Sequence, residues 1–242
     1  EPHLSRNHTE LMLTHFGVKL KSKGNLVQLA GEQKLKGSLV KVPGDISTAA
    51  FFMVAAAIIP DAEVLLRDVG LNPTRTGIID VLKEMGANLA IQNERQWGNE
   101  PVGDLLIRGG SRLRGIEIKD NIIPRLIDEI PIIAVAASLA EGETRISGAG
   151  ELRVKESDRL SALSSQLSRL GAQITELEEG LLIKGGSSLI GAPVESLGDH
   201  RIAMALAVAG LAAEGDTVIR KAEAVSISFP GFMQALRSLT KE

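Results

Sequence analysis

The stretch L-S-R-L-G-A-Q-I at residues 167–174 is matched by L-K-E-M-G-A-N-L at residues 82–89, and more weakly by T-H-F-G-V-K-L at residues 14–20. In each copy an apolar helical pattern stops at a glycine, and a strand pattern follows. Self-similarity of this kind is the sequence signature of a repeated supersecondary unit. The chain is therefore predicted to fold as a set of repeats.

Alanine-rich apolar runs, each starting within three residues of an aspartate, open the repeats. They follow Asp45, Asp128 and Asp199 and cover residues 46–59, 130–140 and 202–213. A helix that is apolar on every side is buried, whereas the strand candidates leave one polar face. We therefore predict an α/β fold, an inside-out α/β barrel of repeated βαβαββ units. Its helices would be central, its sheets outside, and the helix N-termini together at one end of a pseudo-threefold axis.

The residues before Pro43 give a different order of elements. A short helix is predicted after the S-R-N-H-T-E sequence at residues 5–10, with Gly17 as its stop, and strands are predicted at residues 17–20, 25–30 and 37–42. No strand pattern precedes this helix. The order suggests that the chain starts within a structural unit.

Composition excludes several classes of protein. Of the 242 residues 44% are hydrophobic, which is ample for a core, while a net charge of −3 and 2% aromatic residues argue against a nucleic-acid partner. The absence of cysteine excludes disulfides and thiolate metal sites within the chain. The apolar runs are too short to span a bilayer, and no signal peptide opens the chain. We expect a cytosolic protein without a membrane partner.

The charged sequence E-L-R-V-K-E-S-D-R at residues 151–159 precedes an amphipathic helix with leucines at positions 160, 163, 167 and 170. If helical, Glu156 would fall within the leucine stripe, with Lys155 and Arg159 along its margin. Burial would then raise the pKa of Glu156 and the two cations would lower it, which is how an acid/base group near neutrality is made. The alternative is a solvated, self-paired charge cluster at the start of a helix.

The N-termini of the three apolar helices form a second candidate site. Aligned N-termini present free N–H groups and a positive dipole end, which favour anions such as phosphates. The residues involved would be Asp45, Asp128 and the run Asp199-His200-Arg201. The alternative is that the aspartates are ordinary N-caps, although a cation such as Arg201 is locally unfavourable there.

Seven motifs, in order along the whole chain, resemble the 5-enolpyruvylshikimate-3-phosphate synthase family of the bacterial type. They are S-R-N-H-T-E (5–10), G-D-I-S-T-A-A-F-F (44–52), N-P-T-R-T-G (72–77), I-D-E-I-P (127–131), E-L-R-V-K-E-S-D-R (151–159), D-H-R-I-A-M-A (199–205) and S-F-P-G-F (228–232). The resemblance implies a two-domain enzyme with three βαβαββ repeats in each domain. It also implies transfer of the enolpyruvyl group of phosphoenolpyruvate to the 5-hydroxyl of shikimate 3-phosphate, with release of phosphate and without a metal or cofactor.

The resemblance assigns roles residue by residue. Asp128 matches the aspartate that handles the proton of the 5-hydroxyl, and Glu156, with Lys155, matches the acid/base pair at the methylene carbon. Asp128 and Lys155 would also contact substrate.

Further substrate contacts are implied by the same motifs. Arg159 and Arg201 match the arginines that clamp phosphoenolpyruvate, Arg6 matches a contact to shikimate 3-phosphate, and His200 lies beside the clamp in a supporting role. Both substrates are anions, which agrees with the clustered cations.

Two departures from the family pattern stand out. The N-terminal half of the family is absent, so residues 1–43 are predicted to be the end of one domain and residues 44–242 most of the other. That half would be a partner, as a separate chain or a removed segment. In addition, some members carry a lysine just before the S-F-P motif, where this chain has Ser226 and Ile227.

Two alternatives remain from sequence. One is the sister enzyme that transfers enolpyruvyl to UDP-N-acetylglucosamine, whose usual cysteine belongs to the absent segment. The other is a folded fragment without catalysis, which would be either half of a split enzyme or a binding module.

Overall fold

The computed structural model describes residues 4–239, so the outermost ends of the two predicted domain ranges, residues 1–3 and 240–242, lie outside it. The first part of the chain contains helix α1 (His8–His15) and the antiparallel strands β1 (Leu20–Lys23) and β2 (Leu26–Leu29). The strand predicted at residues 37–42 is wrong, because this segment has no regular structure and is almost wholly exposed. The first predicted strand lies further along the chain, in β1.

The three apolar runs form the centre of the larger part, as predicted. They are α2 (Ile46–Ile58), α4 (Ile130–Leu139) and α6 (His200–Ala212), and each packs against the other two. All residues of α4 from Ile130 to Ser138 are buried. Small alanine side chains let the helix axes approach closely, so burial on every side is satisfied within the bundle.

Sheets surround these helices. In the first, the order is β3 (Glu63–Gly70), β5 (Glu100–Arg108), β4 (Asn88–Trp97), with both pairings antiparallel. In the second, it is β6 (Glu117–Ile118), β7 (Glu143–Ile146), β9 (Gly180–Lys184), β8 (Gln173–Leu177). The third contains β10 (Pro193–Glu195) parallel to β11 (Val218–Arg220). Strands β6 and β10 are too short for periodicity to reveal, and sequence analysis missed both.

Outer helices complete the units: α3 (Gly77–Glu84), α5 (Arg159–Arg169) and α7 (Phe232–Leu239). The repeated glycines that follow α3 and α5 have positive φ, +94° at Gly86 and +92° at Gly171, a conformation that residues with a Cβ rarely adopt. The duplicated L-x-x-x-G-A pattern is therefore a helix stop used twice. None of the helices within residues 4–239 is long and apolar enough to cross a membrane.

The third unit differs from the other two. Unit one, which follows α2, adds the antiparallel hairpin β4–β5, and β5 pairs with β3. Unit two, which follows α4, adds the antiparallel hairpin β8–β9, and β9 pairs with β7. Within the described residues, β11 pairs with β10 alone. Beside β11, between α6 and α7, lies a cavity of about 340 Å³. Its lining is mainly apolar and includes Leu206, Leu211, Ile219 and Leu236. The third unit is a βαβα unit without its hairpin.

Candidate active site

The N-termini of the central helices meet at one end of the bundle, and two of them are capped by their aspartates. The carboxylate of Asp45 accepts a hydrogen bond from the Thr48 N–H (2.9 Å), and that of Asp199 accepts one from the Arg201 N–H (2.8 Å). Asp128 is different, because it lies inside a 3-10 turn (Ile127–Glu129) that runs straight into α4, and Glu129 occupies the N-cap position. The cap interpretation is therefore wrong for Asp128, whose carboxylate points to other side chains.

Arg159 is the hub of the site. It is the first residue of α5, its side chain is 1% exposed, and its guanidinium contacts three carboxylates. Nε lies 2.8 Å from Asp199 Oδ2, Nη1 3.4 Å from Asp128 Oδ1 and Nη2 2.5 Å from Glu156 Oε2. Arg159 therefore joins the start of α5 to those of α4 and α6.

Asp128 lies between cations from three elements. Arg201 of α6 donates from Nη1 to the Asp128 carbonyl (3.2 Å), and its Nη2 lies 3.6 Å from Asp128 Oδ2. Burial raises the pKa of Asp128, but Arg201, Arg159 and Lys155 outweigh it, so the pKa lies below its usual value. Asp128 is ionised at neutral pH, with only a quarter of its side chain exposed.

Glu156 does not have the predicted environment. Helix α5 begins at Arg159, so Glu156 precedes it in a loop and its side chain is 49% exposed instead of facing the leucine stripe. The preceding 3-10 turn (Gly150–Val154) and the Asp158 cap delay the helix, and this shifts the charged run outward. The expected desolvated carboxyl is therefore wrong for this chain. Glu156 instead faces the open side of the cluster, held by Arg159.

The other predicted residues lie around the same cluster. Lys155 is paired with Glu151, and Nδ1 of His200 lies 3.9 Å from Glu156 Oε1. Burial, followed by Arg201, lowers the pKa of His200, which favours its neutral form. Arg6, from the first part of the chain, donates to the Pro124 carbonyl (2.8 Å), and burial and Arg75 lower its pKa while Asp128 and Glu129 raise it. All seven predicted residues thus converge on one site.

Sequence analysis gave no role to three residues beside this cluster: Ser47, Arg75 and Glu129. Each lies inside a quoted motif, but only the fold brings the motifs together. For Glu129 the sequence did offer a signal, because a charged residue directly before an apolar helix is unusual and suggests a function.

Replacing Arg159 with Met is expected to lower the free energy of unfolding by about 3–5 kcal/mol, because Asp199, which is fully buried, loses its cation. Arg153→Met is the control in the same motif, since Arg153 pairs with the partly exposed Asp158 and Glu176 and water can replace it. Urea unfolding followed by circular dichroism measures both. Equal, small losses for the two variants would show that Arg159 is not the hub.

Comparison with known proteins extends over the whole chain. The family model described as EPSP synthase (3-phosphoshikimate 1-carboxyvinyltransferase) matches residues 1–236. The chain is 53% identical, over 241 residues, to proteins named 3-phosphoshikimate 1-carboxyvinyltransferase from Carboxydothermus hydrogenoformans and from Brevibacillus brevis. In both cases the match covers 100% of this chain and 56% of the relative, so the chain spans little more than half of their length.

Solved structures agree with the sequence matches. An EPSP synthase structure from Acinetobacter baumannii superimposes with a TM-score of 0.94 at 45% identity, covering 99% of this chain and 55% of that one. The enolpyruvyl transferase NikO from Streptomyces tendae gives a TM-score of 0.75 at 18% identity, covering 96% of this chain and 52% of that one, which shows a shared fold alone. The predicted inside-out α/β barrel is confirmed as the enolpyruvyl transferase fold.

Proposed function

The chain belongs to the EPSP synthase family, and we propose that it supplies one wall of an enzyme that transfers the enolpyruvyl group of phosphoenolpyruvate to the 5-hydroxyl of shikimate 3-phosphate, releasing phosphate. The observation that carries the proposal is the cluster around Asp128. Arg201, Arg159, Lys155 and Arg6 all act on this one ionised carboxylate, at the meeting point of helix N-termini. Two multiply charged anions are the substrates that such a cluster suits.

In the proposed reaction Asp128 accepts the proton of the 5-hydroxyl while the oxygen of that hydroxyl bonds to C2 of phosphoenolpyruvate. The surrounding cations keep Asp128 ionised but make it a weak base in the free chain. Bound substrate anions would neutralise part of that positive charge and raise the pKa of Asp128 towards a useful value.

Glu156 and Lys155 are proposed to act at the methylene carbon. One of them delivers a proton there as the tetrahedral adduct forms, and a proton leaves the resulting methyl group when phosphate departs. The half-exposed position of Glu156, 2.5 Å from Arg159, places it on the open side of the cluster, where a substrate could reach it. Because Glu156 is half exposed, closure of the site would have to exclude water from it.

We further propose that residues 1–43 end one domain, that residues 44–242 form most of the other, and that the missing N-terminal part of the family completes both. The internal repeat supports this. Units one and two place an antiparallel strand on β3 and on β7, while the third leaves β11 and an apolar cavity of about 340 Å³ beside it. An apolar strand from the missing part, antiparallel to β11, would complete the third unit.

The comparisons bear on the first of the two alternatives from sequence, the sister enzyme, but not on the second, the inactive fragment. Neither the family model nor the quoted relatives point to a UDP-N-acetylglucosamine transferase. A folded but inactive fragment remains our expectation for the chain on its own, and a cytosolic location remains a proposal.

Glu156→Gln in the complete enzyme is expected to lower kcat by about 10²- to 10⁴-fold, because the amide keeps the shape but cannot shuttle a proton. Stopped assays of phosphate release from the two substrates measure the loss. Glu178→Gln is the matched control, since the side chain of Glu178 is exposed and Glu178 is not one of the proposed site residues. Activity of the Glu156→Gln variant within tenfold of wild type would overturn the assignment of Glu156.

A further inference from the structure

Glu129 is a buried carboxyl group for which the proposed reaction has no role. Its side chain lies at the mouth of α4 directly after Asp128 and is among the most buried polar groups, at 1% exposure. Oε1 accepts a hydrogen bond from the Ser47 hydroxyl, whereas Oε2 is buried without a partner among the described residues. A carboxyl that is only half satisfied is costly inside a protein, so its presence calls for a reason.

Ser47 connects Glu129 to a second helix and to a loop. The Ser47 hydroxyl, itself 1% exposed, accepts a hydrogen bond of 2.6 Å from Arg75 Nη2. The same nitrogen lies 3.0 Å from Asp45 Oδ1, the cap of α2. The line Glu129–Ser47–Arg75–Asp45 therefore ties the start of α4 to that of α2 and to the N-P-T-R turn. Since Asp128 shares the 3-10 turn with Glu129, these hydrogen bonds fix the position of Asp128.

The charges that face Glu129 come from every neighbouring element. Arg201 of α6 and Arg75 of the N-P-T-R turn are the cations that lower the pKa of Glu129, and Asp128 is the like charge that raises it. Arg6 also interacts with Glu129. Burial raises the pKa of Glu129 to about 7, against the pull of Ser47, Arg201 and Arg75. Two consecutive carboxyl groups thus have separated acidities, with Asp128 ionised and Glu129 protonated in mildly acidic solution, the arrangement that divides acid and base roles in enzymes.

We propose that Glu129 is a positioning residue for the proposed reaction: through Ser47 and Arg75 it fixes the turn that presents Asp128, and its ionisation governs how much negative charge the cation cluster accepts. The proposal rests on the proposed function for the identity of the reaction, but its physical content belongs to this chain. Protonated Glu129 does not offset the charge of Arg201 and Arg75, so more of the positive field of the cluster remains to attract an anion. Ionised Glu129 neutralises part of their charge.

The ionisation of Glu129 also makes the stability of the fold depend on pH. The pKa of Glu129 in the folded chain, about 7, is above its ordinary value of 4.5. The stability it contributes is therefore fully present below about pH 4.5 and is lost as the pH rises through about 7. Glu129→Gln removes the titration while its amide oxygen can still accept from Ser47. The melting temperature of wild type relative to this variant is expected to fall between pH 5 and 8.

Sulfate is the probe for anion binding, since its charge does not change in the pH range used. Calorimetric titration of the chain with sulfate at pH 6.5 and pH 8.5 is expected to show wild-type affinity falling about fivefold or more at the higher pH. The Glu129→Gln variant should change by less than about twofold. His200 is present in both proteins, so any effect of its titration is common to both and drops out of the comparison. The same pH dependence in both proteins would overturn the proposal.

A second measurement separates this inference from the proposed function. Carbon-13 NMR of the labelled chain follows both carboxyl groups without any substrate. Glu129 is expected to titrate near pH 7, and the Asp128 resonance of wild type is expected to shift through the same pH range as the neighbouring charge forms. In the Glu129→Gln variant this second shift should disappear, while the Asp128 midpoint itself stays unchanged because Glu129 is already protonated where Asp128 titrates. A Glu129 resonance that titrates near 4.5 would overturn the proposal even if the enzyme is active.

The kinetic arm uses the complete enzyme. There, Glu129→Gln is expected to move the limb of the kcat/KM pH profile near pH 7, whereas Glu129→Ala, which also removes the acceptor of Ser47, should lower kcat more than it changes KM. Loss of stability with an unmoved pH profile would mark Glu129 as merely structural. If no transfer occurs in wild type either, the proposed function fails while the sulfate and NMR results still decide the role of Glu129.

Discussion

This chain by itself is expected to release no measurable phosphate from shikimate 3-phosphate and phosphoenolpyruvate, and addition of the missing N-terminal part as a second polypeptide is expected to restore turnover. The chain holds Asp128 and its cations, whereas in the proposed enzyme the wall that closes over them comes from the part of the relatives that this chain does not span. Half a site gives neither the orientation, worth up to roughly 7–11 kcal/mol in a well-aligned site, nor the water-excluded enclosure that strengthens its charges. Steady-state phosphate release by the rigorously purified single chain would contradict this expectation.

The surface on which the missing part docks can be tested in the same mixture. Val218 N–H and the Arg220 carbonyl bond towards β10. The backbone groups of Ile219 therefore face the other edge of β11, which has no partner strand within residues 4–239. Ile219→Pro removes the outward N–H and is expected to weaken association of the two polypeptides by about tenfold or more. Ile219→Ala, which keeps that N–H, is the matched control for loss of the side chain. Equal affinities of the Ile219→Pro variant and wild type would place the docking edge elsewhere.

Asp128→Asn is expected to lower kcat of the complete enzyme by about 10²- to 10⁴-fold, the range that proton transfer by a positioned group supplies. The amide cannot accept the hydroxyl proton, yet it matches the carboxylate in size. Because Asp128 makes no cap hydrogen bond, the start of α4 should be unaffected. Single-turnover assays with saturating substrates measure the chemical step directly.

Asp158→Asn is the control for Asp128. Asp158 caps α5 by accepting a hydrogen bond from the Ser161 N–H (3.1 Å), and asparagine caps helices about as well. The kcat of this control should stay within about threefold of wild type. A loss below tenfold in the Asp128→Asn variant would reduce Asp128 to a structural partner of Arg159 and Arg201.

Local patterns of apolar residues in the sequence predict most of the helices of the fold. The apolar periodicity of residues 160–170 predicts the buried face of α5, and Leu160, Leu163 and Leu167 are indeed buried. The runs at residues 46–59 and 202–213 predict central helices. The strand predicted at residues 37–42 fails because a segment with strand propensity forms a strand only where a neighbour offers hydrogen bonds and packing, and here the segment is exposed.

The motifs name candidate residues that the structure brings together, but they do not predict the geometry of the cluster. The motifs name Asp128, Lys155, Glu156, Arg159 and Arg201, and the structure brings them together. Their individual environments depend on where each helix begins, and helix ends are the least certain feature of a periodic pattern. A shift of α5 to start at Arg159 turns Glu156 outward and buries the arginine instead.

What the sequence by itself determined is what repeats within about ten residues: the glycine stops at Gly86 and Gly171, the apolar central helices, and hence the family of fold. What only the tertiary structure decided are contacts between distant motifs. Arg159 meets Asp199 across 40 residues, and Ser47 meets Glu129 across 82. Their charge states follow from burial and from neighbours in space, because the energy of an ion in a protein depends on its distance from other charges and from water. The chain order therefore names the chemical groups, while the packing of α2, α4 and α6 sets their acidity.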